Sequence, residues 1–467
     1  MKITLAAGGA FGILMVTGTV WFAFHTLPIS NELHCTGDCQ VGDVNSIMNT
    51  KKLMKLKNLE RQECKLLQSC PVPGLQMMAE TPCVDGKAGE YECKNVDLLS
   101  FTPLPVLGSA DNGNDIWGWA DPVSKREFAI MCCTDGTSFV EVTNPTAPMV
   151  KGFLPSAKPG FMIWRDAKVY MNHAFVVSEH EGHGMQVFDM SKLLTMENAN
   201  RTDAAVTKLV ADAHYDEFGS CHNIVINEES GFAYAVGSTT CKGGLHMIDI
   251  TDPKNPKFSG CYADDGYTHD AECVMYHGPD SAFAGREICF AYNEDSLTVV
   301  DVTVKAKPRM LSRIMYEGSA YTHQGWLNAE QTHLLLDDEL DEVENKNDGH
   351  TQTYVWDVTD LTKPRLINSY HSAVKSIDHN QYIKGDLTYQ ANYEAGLRIL
   401  DIKNIAQGKL NEVGFFDVRP ESTTVEFFGS WSVFPYLPSG NILVSSIERG
   451  LFVLNPQIPK KVDDASK

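Results

Sequence analysis

The sequence predicts an all-β protein, a seven-bladed β-propeller closed by an N-terminal strand. Seven times, a short apolar strand ends in an acidic or amide residue before a polar turn, at residues 139–143, 185–189, 245–251, 297–303, 354–359, 397–401 and 451–455. An all-β unit that recurs every roughly 45 to 55 residues is typical of β-propellers, in which each repeat forms one four-stranded sheet. A chain of 467 residues has room for seven such blades in one closed unit.

The first and last repeats together predict how the ring closes. The last repeat stops after its third strand, and residues 96–106, ahead of the first repeat, have the pattern of a fourth strand. Closure removes the open sheet edges that promote aggregation, so we expect residues 96–106 to complete the last blade. The predicted propeller therefore covers residues 96–456, and residues 457–467 form a tail.

The acidic residues that end the repeated strands are predicted to stabilise turns. Asp249, Asp301 and Asp357 are each followed two residues later by threonine, and Asp401 takes the same place in the next repeat. Aspartate and threonine side chains hydrogen-bond nearby backbone amides in turns. We therefore interpret these aspartates as structural rather than catalytic.

Two segments precede the predicted propeller. Residues 1–24 carry one lysine and then an uncharged apolar run, which is typical of a signal peptide or an uncleaved signal-anchor. Residues 25–95 hold six of the thirteen cysteines, so we expect a small cysteine-rich module or stalk. A chain led by either kind of N-terminal segment enters an oxidising compartment. The predicted location is extracellular, either secreted or anchored to a membrane by residues 1–24.

The cysteine spacing predicts three disulfides within short loops. These are Cys83–Cys93, Cys241–Cys261 and Cys273–Cys289. Two more disulfides of unknown connectivity are expected among Cys35, Cys39, Cys64 and Cys70, and an odd thiol remains among Cys132, Cys133 and Cys221. Asn200 heads the one N-glycosylation sequon, because the proline after Asn144 blocks the other Asn-x-Thr.

The net charge of −21 bears on the class of partner. A surface of this sign repels phosphate, so we expect no nucleic-acid partner. An acidic surface favours a secreted protein or cation-rich surroundings. The alternative interpretation is that the charge only keeps the protein soluble.

Histidines and carboxylates are predicted to meet at one mouth of the central channel. In a propeller blade the innermost strand starts on the same face as the turn between the second and third strands. The predicted strand starts carry Trp117, Arg165, Asp166, His222, His269, His323, His379 and Trp431. The facing turns carry Asp135, Glu179, Glu294, Glu339, Glu394 and Glu448.

This set of side chains suits a divalent cation such as Zn²⁺, Mn²⁺ or Ca²⁺. The predicted metal ligands are His222, His269, His323, His379, Glu294, Glu339, Glu394 and Glu448. The alternative is structural, because repeated histidines in propellers also form hydrogen-bond networks that lock the strands of a blade. Repetition favours this alternative, since a functional site is usually asymmetric.

Two further segments contain ligand-type residues. Residues 179–183 have a His-x-x-His spacing in a strand turn, for which we expect a polar hairpin. Residues 337–342, followed by Glu344 and Asp348, form an acidic loop that suits Ca²⁺ but lacks the pattern of an EF-hand loop. The sequence contains no nucleophile elbow, phosphate-binding loop or dinucleotide fingerprint.

Several segments resemble one family of extracellular proteins. They are residues 114–119, 182–189, 266–273, 285–290, 321–326, 337–341 and 445–453. In these segments the chain resembles the choice-of-anchor B family, whose members are secreted or surface-attached and carry LVIVD-type repeats. The resemblance covers residues 80–456 and implies a surface-displayed propeller whose means of attachment varies. It implies no settled activity, and because a C-terminal sorting segment is not seen, we expect any anchor to be N-terminal.

Two functions are compatible with these patterns. The first is a non-enzymatic propeller that binds an extracellular protein, a glycan or a cation through an acidic, histidine-containing rim. The second is a lactonase-like, metal-dependent hydrolase with its metal in the central channel. Propellers perform both kinds of function, so the fold class alone does not decide between them.

Overall fold

The structure is a computed structural model that describes residues 41–66, 70–196 and 206–458, and two short strands, Met15–Val16 and Thr19–Val20. Residues Met1–Val41 form one compact unit and Gly42–Lys467 a second. Apart from the two short strands, the predicted signal segment lies outside the described residues. So do Cys35, Cys39, the predicted glycosylation site Asn200 and most of the predicted tail.

Seven antiparallel sheets form the second unit, and their innermost strands contact one another in a closed cycle. The innermost strands are Gly113–Ala120, Arg165–Tyr170, Asn223–Asn227, Asp270–Met275, Thr322–Leu327, Asn380–Lys384 and Ser430–Phe434. We number the blades 1 to 7 in this order. The prediction of an all-β, seven-bladed propeller is confirmed.

The next two strands of each blade run outwards from the channel. The second strands are Glu127–Cys133, His173–Ser178, Phe232–Val236, Glu287–Tyr292, His333–Asp338, Leu387–Ala391 and Ile442–Ser446. The third strands are Gly136–Glu141, Met185–Asp189, Leu245–Asp249, Leu297–Asp301, His350–Asp357, Leu397–Asn404 and Gly450–Pro456. All seven repeated sequence segments contribute to third strands.

The outer strands complete the blades, and short helices connect some of the elements. The outer strands are Met149–Pro155, Ala213–Tyr215, Lys257–Tyr262, Arg309–Ile314, Arg365–Lys375, Lys409–Phe416 and Val96–Pro103. The α-helices are α1, Val41–Leu66, and α2, Leu104–Leu107. The 3-10 helices are Met190–Leu194, Cys241–Gly243, Lys346–Gly349 and Ile405–Gln407.

Blade 7 is closed by the N-terminal strand, as predicted. Val96–Pro103 pairs antiparallel with Gly450–Pro456, with Leu451 opposite Thr102. Leu98 and Phe101 are buried in a core that includes Phe452. The strand ends where α2 begins, with a proline in the first turn of that helix.

Turns after the third strands show the chemistry expected of the repeated aspartates. The backbone amide and the hydroxyl of Thr251 donate to Asp249 Oδ1 at 2.9 and 2.6 Å. Thr303 makes the same two bonds to Asp301, and Thr359 to Asp357. These carboxylates stabilise the turn before the outer strand.

Residues 42–95 pack within the same compact unit as the propeller, although the sequence suggests a separate module or stalk for residues 25–95. Tyr91–Lys94 pairs with the outer strand of blade 6, and Lys87–Ala88 pairs with Tyr91–Lys94 in turn. Leu53, on α1, is buried in a cluster with residues of the propeller. These contacts attach both parts of the segment to the blades.

The structure contains the three predicted disulfides, Cys83–Cys93, Cys241–Cys261 and Cys273–Cys289, and also Cys64–Cys70. Cysteine pairs of this kind persist in oxidising compartments, so they indicate an extracellular environment. Cys132, Cys133 and Cys221 are buried free thiols. Within the described residues, no helix combines the length and apolar character needed to cross a membrane.

Candidate metal centre

The histidines at the starts of the innermost strands form a row of closely spaced, tilted rings at one mouth of the channel, which we call the upper mouth. Ring centroids are separated by 4.2 Å between His222 and His269, and by 4.2 Å between His269 and His323. The row continues to His379, whose ring lies 4.4 Å from that of His323. Consecutive blades therefore place imidazoles side by side.

Backbone carbonyls fix the orientation of three of these rings. Nδ1 of His269 donates to the carbonyl of His323 at 2.9 Å, and Nδ1 of His323 to that of His379 at 3.0 Å. Nδ1 of His379 donates to the carbonyl of Trp431 at 2.5 Å. Because a carbonyl oxygen only accepts, the proton is held on Nδ1, and Nε2 keeps a free lone pair. This arrangement is typical of histidines that bind metals.

Three side chains of the upper mouth converge as a candidate metal centre. Donor atoms of His269, His323 and Glu339 lie within 4.8 Å of one another. All three residues are buried, and among the described residues nothing hydrogen-bonds Nε2 of either histidine or Oε2 of Glu339. Two imidazoles and a carboxylate are a ligand set that holds zinc in proteins.

The protonation of the rim imidazoles suits metal binding. Burial, followed by repulsion from the charge that neighbouring histidines carry when protonated, lowers the pKa of His269 and His323 well below the ordinary value. Burial and then the charge of Lys57 do the same for the pKa of His379. Neutral imidazole is the form that ligates a metal.

The other two predicted histidine ligands lie beside the centre. Nε2 of His379 is 3.5 Å from Oε1 of Glu339, so this ring borders the centre. Nδ1 of His222 donates to Oε1 of Glu179 at 2.5 Å. That hydrogen bond joins the start of blade 3 to a turn of blade 2, so His222 has a structural role between blades rather than within one blade.

The remaining predicted carboxylates are held by neighbouring loops, and Arg419 lies 3.2 Å from Glu394 and 3.8 Å from Glu448. Thr424 Oγ1 donates to Glu394 at 2.7 Å, and the amide of Gly429 donates to Glu448 at 3.0 Å. The backbone of Glu294 pairs with Thr322. Within the described residues none of these three carboxylates joins the metal-type group, because only Glu339 lies in the row of rings.

Lys57, which the sequence did not suggest, enters the upper mouth from α1. Its Nζ lies 2.6 Å from Oε1 of Glu339 and 4.9 Å from the ring centroid of Trp431. The side chain is 4% exposed. Lys57 follows the buried Leu53 by one helical turn. This spacing places both residues on the same face of the helix and could have predicted the position of Lys57 from the sequence.

Several contacts hold α1 over the upper mouth. Lys52 Nζ is 2.8 Å from Glu344, and the amide of Phe427 donates to Glu60 at 2.8 Å. Burial raises the pKa of Glu60 to about 7. The helix covers the histidine row and places a cation beside the carboxylate of the centre.

Trp117 lies elsewhere than predicted. Its ring is 5.6 Å from that of Tyr382 and 4.9 Å from that of Phe434, in the half of the channel away from the upper mouth. The innermost strand of blade 1 starts at Gly113, so Trp117 lies beyond its middle.

The two further segments with ligand-type residues make local hydrogen bonds. Nε2 of His183 is 2.9 Å from Nη1 of Arg165, and burial together with this guanidinium lowers the pKa of His183 to about 3. In the acidic segment, the amides of Ala320 and Tyr321 donate to Asp338 at 2.8 and 2.7 Å. His183 and Asp338 therefore stabilise turns, whereas Oδ1 of Asp341 and Oε2 of Glu342 are buried without a hydrogen-bond partner among the described residues.

No protein-family model and no curated protein matches the chain. Among solved structures, the chain is similar to hydrazine synthase of Kuenenia stuttgartiensis, with a TM-score of 0.50 and 13% identity over 71% of this chain and 93% of that one. The β-propeller domain of Cps50 (Swd1) from Myceliophteria thermophila has a TM-score of 0.41 and 10% identity, over 70% of this chain and 93% of that one. At these identities the likeness concerns the fold alone.

Proposed function

We propose that this protein is an extracellular or surface-displayed binding propeller, and that His269, His323 and Glu339 hold a divalent cation, Zn²⁺, at its upper mouth. The observation that carries the metal site is the pair of buried Nε2 lone pairs that face Oε2 of the buried Glu339; none of these three atoms has a hydrogen-bond partner among the described residues. Buried polar groups are normally satisfied, so an ion explains this arrangement.

The ligand types favour zinc over calcium. Calcium takes six to eight oxygen ligands, whereas this centre offers two imidazole nitrogens and one carboxylate. Zinc binds such mixed sets in tetrahedral geometry.

Burial of the centre supports a binding role rather than an enzymatic one. The side chains of His323 and Glu339 are 1% and 0% exposed, and α1 lies across the mouth above them. A catalytic zinc keeps a position that substrate can reach, and the helix across the mouth leaves no such access. The disulfides support the extracellular location. The resemblance to the choice-of-anchor B family, which points to surface display, remains a prediction.

A lactonase-like, metal-dependent hydrolase is the second candidate. It is favoured by the same ligand set, because two histidines and one glutamate are the protein ligands of some catalytic zinc sites. Hydrolysis of an ester or lactone by the purified protein, lost in the His323→Ala variant, would establish it.

Metal analysis of the full chain purified from a secreting host tests the first proposal. We expect zinc to co-purify with the wild type and to be lost in the double variant His269→Ala, Glu339→Gln. The matched control is His371→Ala, which removes an exposed histidine of an outer strand. Chelator should lower the melting temperature of the wild type and of the control, because a ligand that binds only the folded state stabilises it.

A metal-free wild type that binds no added zinc would contradict the proposal. The histidine row would then act only as the network that joins one blade to the next. In that case chelator should leave the melting temperature unchanged, while His323→Ala should lower it by removing the hydrogen bond from Nδ1 to the carbonyl of His379.

A further inference from the structure

A cavity opens at the end of the channel opposite the upper mouth, and we call it the lower cavity. Its volume is about 780 Å³, within the range of pockets that bind small molecules. Aromatic residues from several blades line it, namely Trp117, Trp326, Tyr382, Phe434 and Tyr436. None of these belongs to the candidate metal centre.

The aromatic residues of the lower cavity form one continuous wall. The ring of Tyr382 lies 4.8 Å from that of Trp326 and 5.6 Å from that of Trp117. Tyr436 lies 5.5 Å from Phe434. The two tryptophans are half-buried, so part of each ring remains open to the cavity. Faces of such rings carry negative partial charge and attract cations.

Two carboxylates stand beside this wall on the innermost strand of blade 4. Asp270 and Glu272 are two residues apart, so both side chains point to the same face of the strand, and both line the cavity. One oxygen of Glu272 accepts from the amide of Leu327 at 2.7 Å. Within the described residues, its other oxygen has no hydrogen-bond partner and no ion pair. Burial raises the pKa of Glu272 to about 8 and that of Asp270 to about 7, and a cation beside them lowers both values, so the two carboxyl groups become fully charged when an ammonium ligand binds.

Lys168 shows that tryptophan and carboxylate side chains of this cavity can hold an ammonium group. Its Nζ lies 4.5 Å from the ring centroid of Trp117, and 2.7 and 3.3 Å from the carboxylates of Asp166 and Asp115. An ammonium group between a tryptophan face and carboxylates is thus already part of the cavity. Because Lys168 is occupied by its two aspartates, the charge left for a ligand is that of Asp270 and Glu272.

We propose that the lower cavity binds a small organic cation of the alkylammonium class. The ammonium group lies beside Asp270 and Glu272, and the alkyl carbons pack on Trp117, Trp326 and Tyr382. The aromatic wall distinguishes this ligand from a metal ion, and the carboxylates distinguish it from a neutral apolar compound.

Calorimetric titration with choline tests the proposal, because choline has a neutral isostere in which carbon replaces nitrogen. We expect choline to bind the full-length protein and the isostere to bind about tenfold more weakly or worse, since it lacks the charge. Glu272→Gln keeps the acceptor for the amide of Leu327 but removes the charge. It should therefore lower the affinity for choline about tenfold and leave the affinity for the isostere unchanged.

Two further variants keep the test interpretable. Glu92→Gln removes an exposed carboxylate from the strand Tyr91–Lys94, outside the cavity, and should bind choline as the wild type does. If Glu272→Gln does not fold, Trp326→Leu takes its place. This variant removes an aromatic face and should bind choline more weakly than the wild type does. Equal affinities for choline and its isostere would overturn the proposal. So would binding of methyl glucoside without binding of choline, which would make the cavity a carbohydrate site.

Discussion

Three of the four imidazoles of the upper mouth owe their orientation to a backbone carbonyl of the next blade. This relay, from His269 through His323 to His379, ends at the carbonyl of Trp431. It satisfies Nδ1 in every ring and leaves Nε2 for the channel. The same hydrogen bonds therefore serve both interpretations of the histidines, and only Nε2 distinguishes a metal ligand from a structural residue.

His246, in the third strand of blade 3, makes stability depend on pH. Its ring is 2% exposed, with Nε2 and Nδ1 each 2.8 Å from the hydroxyls of Tyr215 and Thr240. Burial lowers the pKa of His246 to about 4. An unfolded histidine titrates near pH 6.5, so between about pH 6.5 and 4 the unfolded chain takes up a proton that the folded chain does not. The free energy of unfolding therefore decreases as the pH falls through this window.

We expect the wild type to lose about 1 to 2 kcal/mol more stability between pH 7.5 and 5 than the variant His246→Gln, which has no imidazole to protonate. Guanidinium unfolding at both pH values measures the difference. His371→Gln, at an exposed histidine, should behave as the wild type does. Equal losses in the wild type and in His246→Gln would contradict the assignment.

At the scale of elements, α1 acts as a cover for the upper mouth. Leu53 and Lys57 lie on one face of the helix and enter a cluster with Trp164, Tyr393 and Trp431. The ammonium of Lys57 neutralises Glu339, and Tyr393 donates its hydroxyl to the same oxygen at 2.5 Å. A metal ion at the proposed centre would share that carboxylate with Lys57.

The variant Lys57→Met should bind zinc about tenfold more tightly or better, because it removes a nearby positive charge and keeps the apolar stem. Without zinc it should unfold more easily, by about 1 to 3 kcal/mol, since Glu339 then loses its buried partner. Zinc titration against a competing chelator, with and without denaturant, measures both effects.

Lys52→Met is the matched control for this prediction. The pair Lys52–Glu344 is half-exposed, so its loss should change stability by less than about 1 kcal/mol. Zinc affinity should stay at the wild-type value in this control. Unchanged zinc affinity in Lys57→Met as well would mean that the lysine and the proposed ion do not share Glu339.

At the scale of the whole molecule, the ring depends on the strand Val96–Pro103. This strand supplies the outer edge of blade 7, and its residues Val96, Leu98 and Phe101 are buried. The fold is thus closed by pairing between the two ends of the propeller. Such closure covers the edge of the third strand, Gly450–Pro456.

Two truncations separate the role of this strand from that of α1. A chain that begins at residue 108 lacks Val96–Pro103 and should expose the third strand of blade 7, aggregate and melt at lower temperature. A chain that begins at residue 70, with Cys70→Ser, keeps the strand and should remain a monomeric propeller. Size-exclusion chromatography and thermal melting compare the two. Identical behaviour would show that closure by this strand is not required.

The sequence by itself determined the repeat, the closing strand and the three short-range disulfides. These features depend on periodic strand patterns and on cysteines close together in the chain, such as Cys83 and Cys93. Only the tertiary structure decided which of the turn carboxylates meets the histidines, because Glu339, Glu394 and Glu448 occupy equivalent turns and differ only in their neighbours. It likewise decided the place of Lys57 and the aromatic wall of the lower cavity, since these arise where side chains distant in the chain pack around one channel.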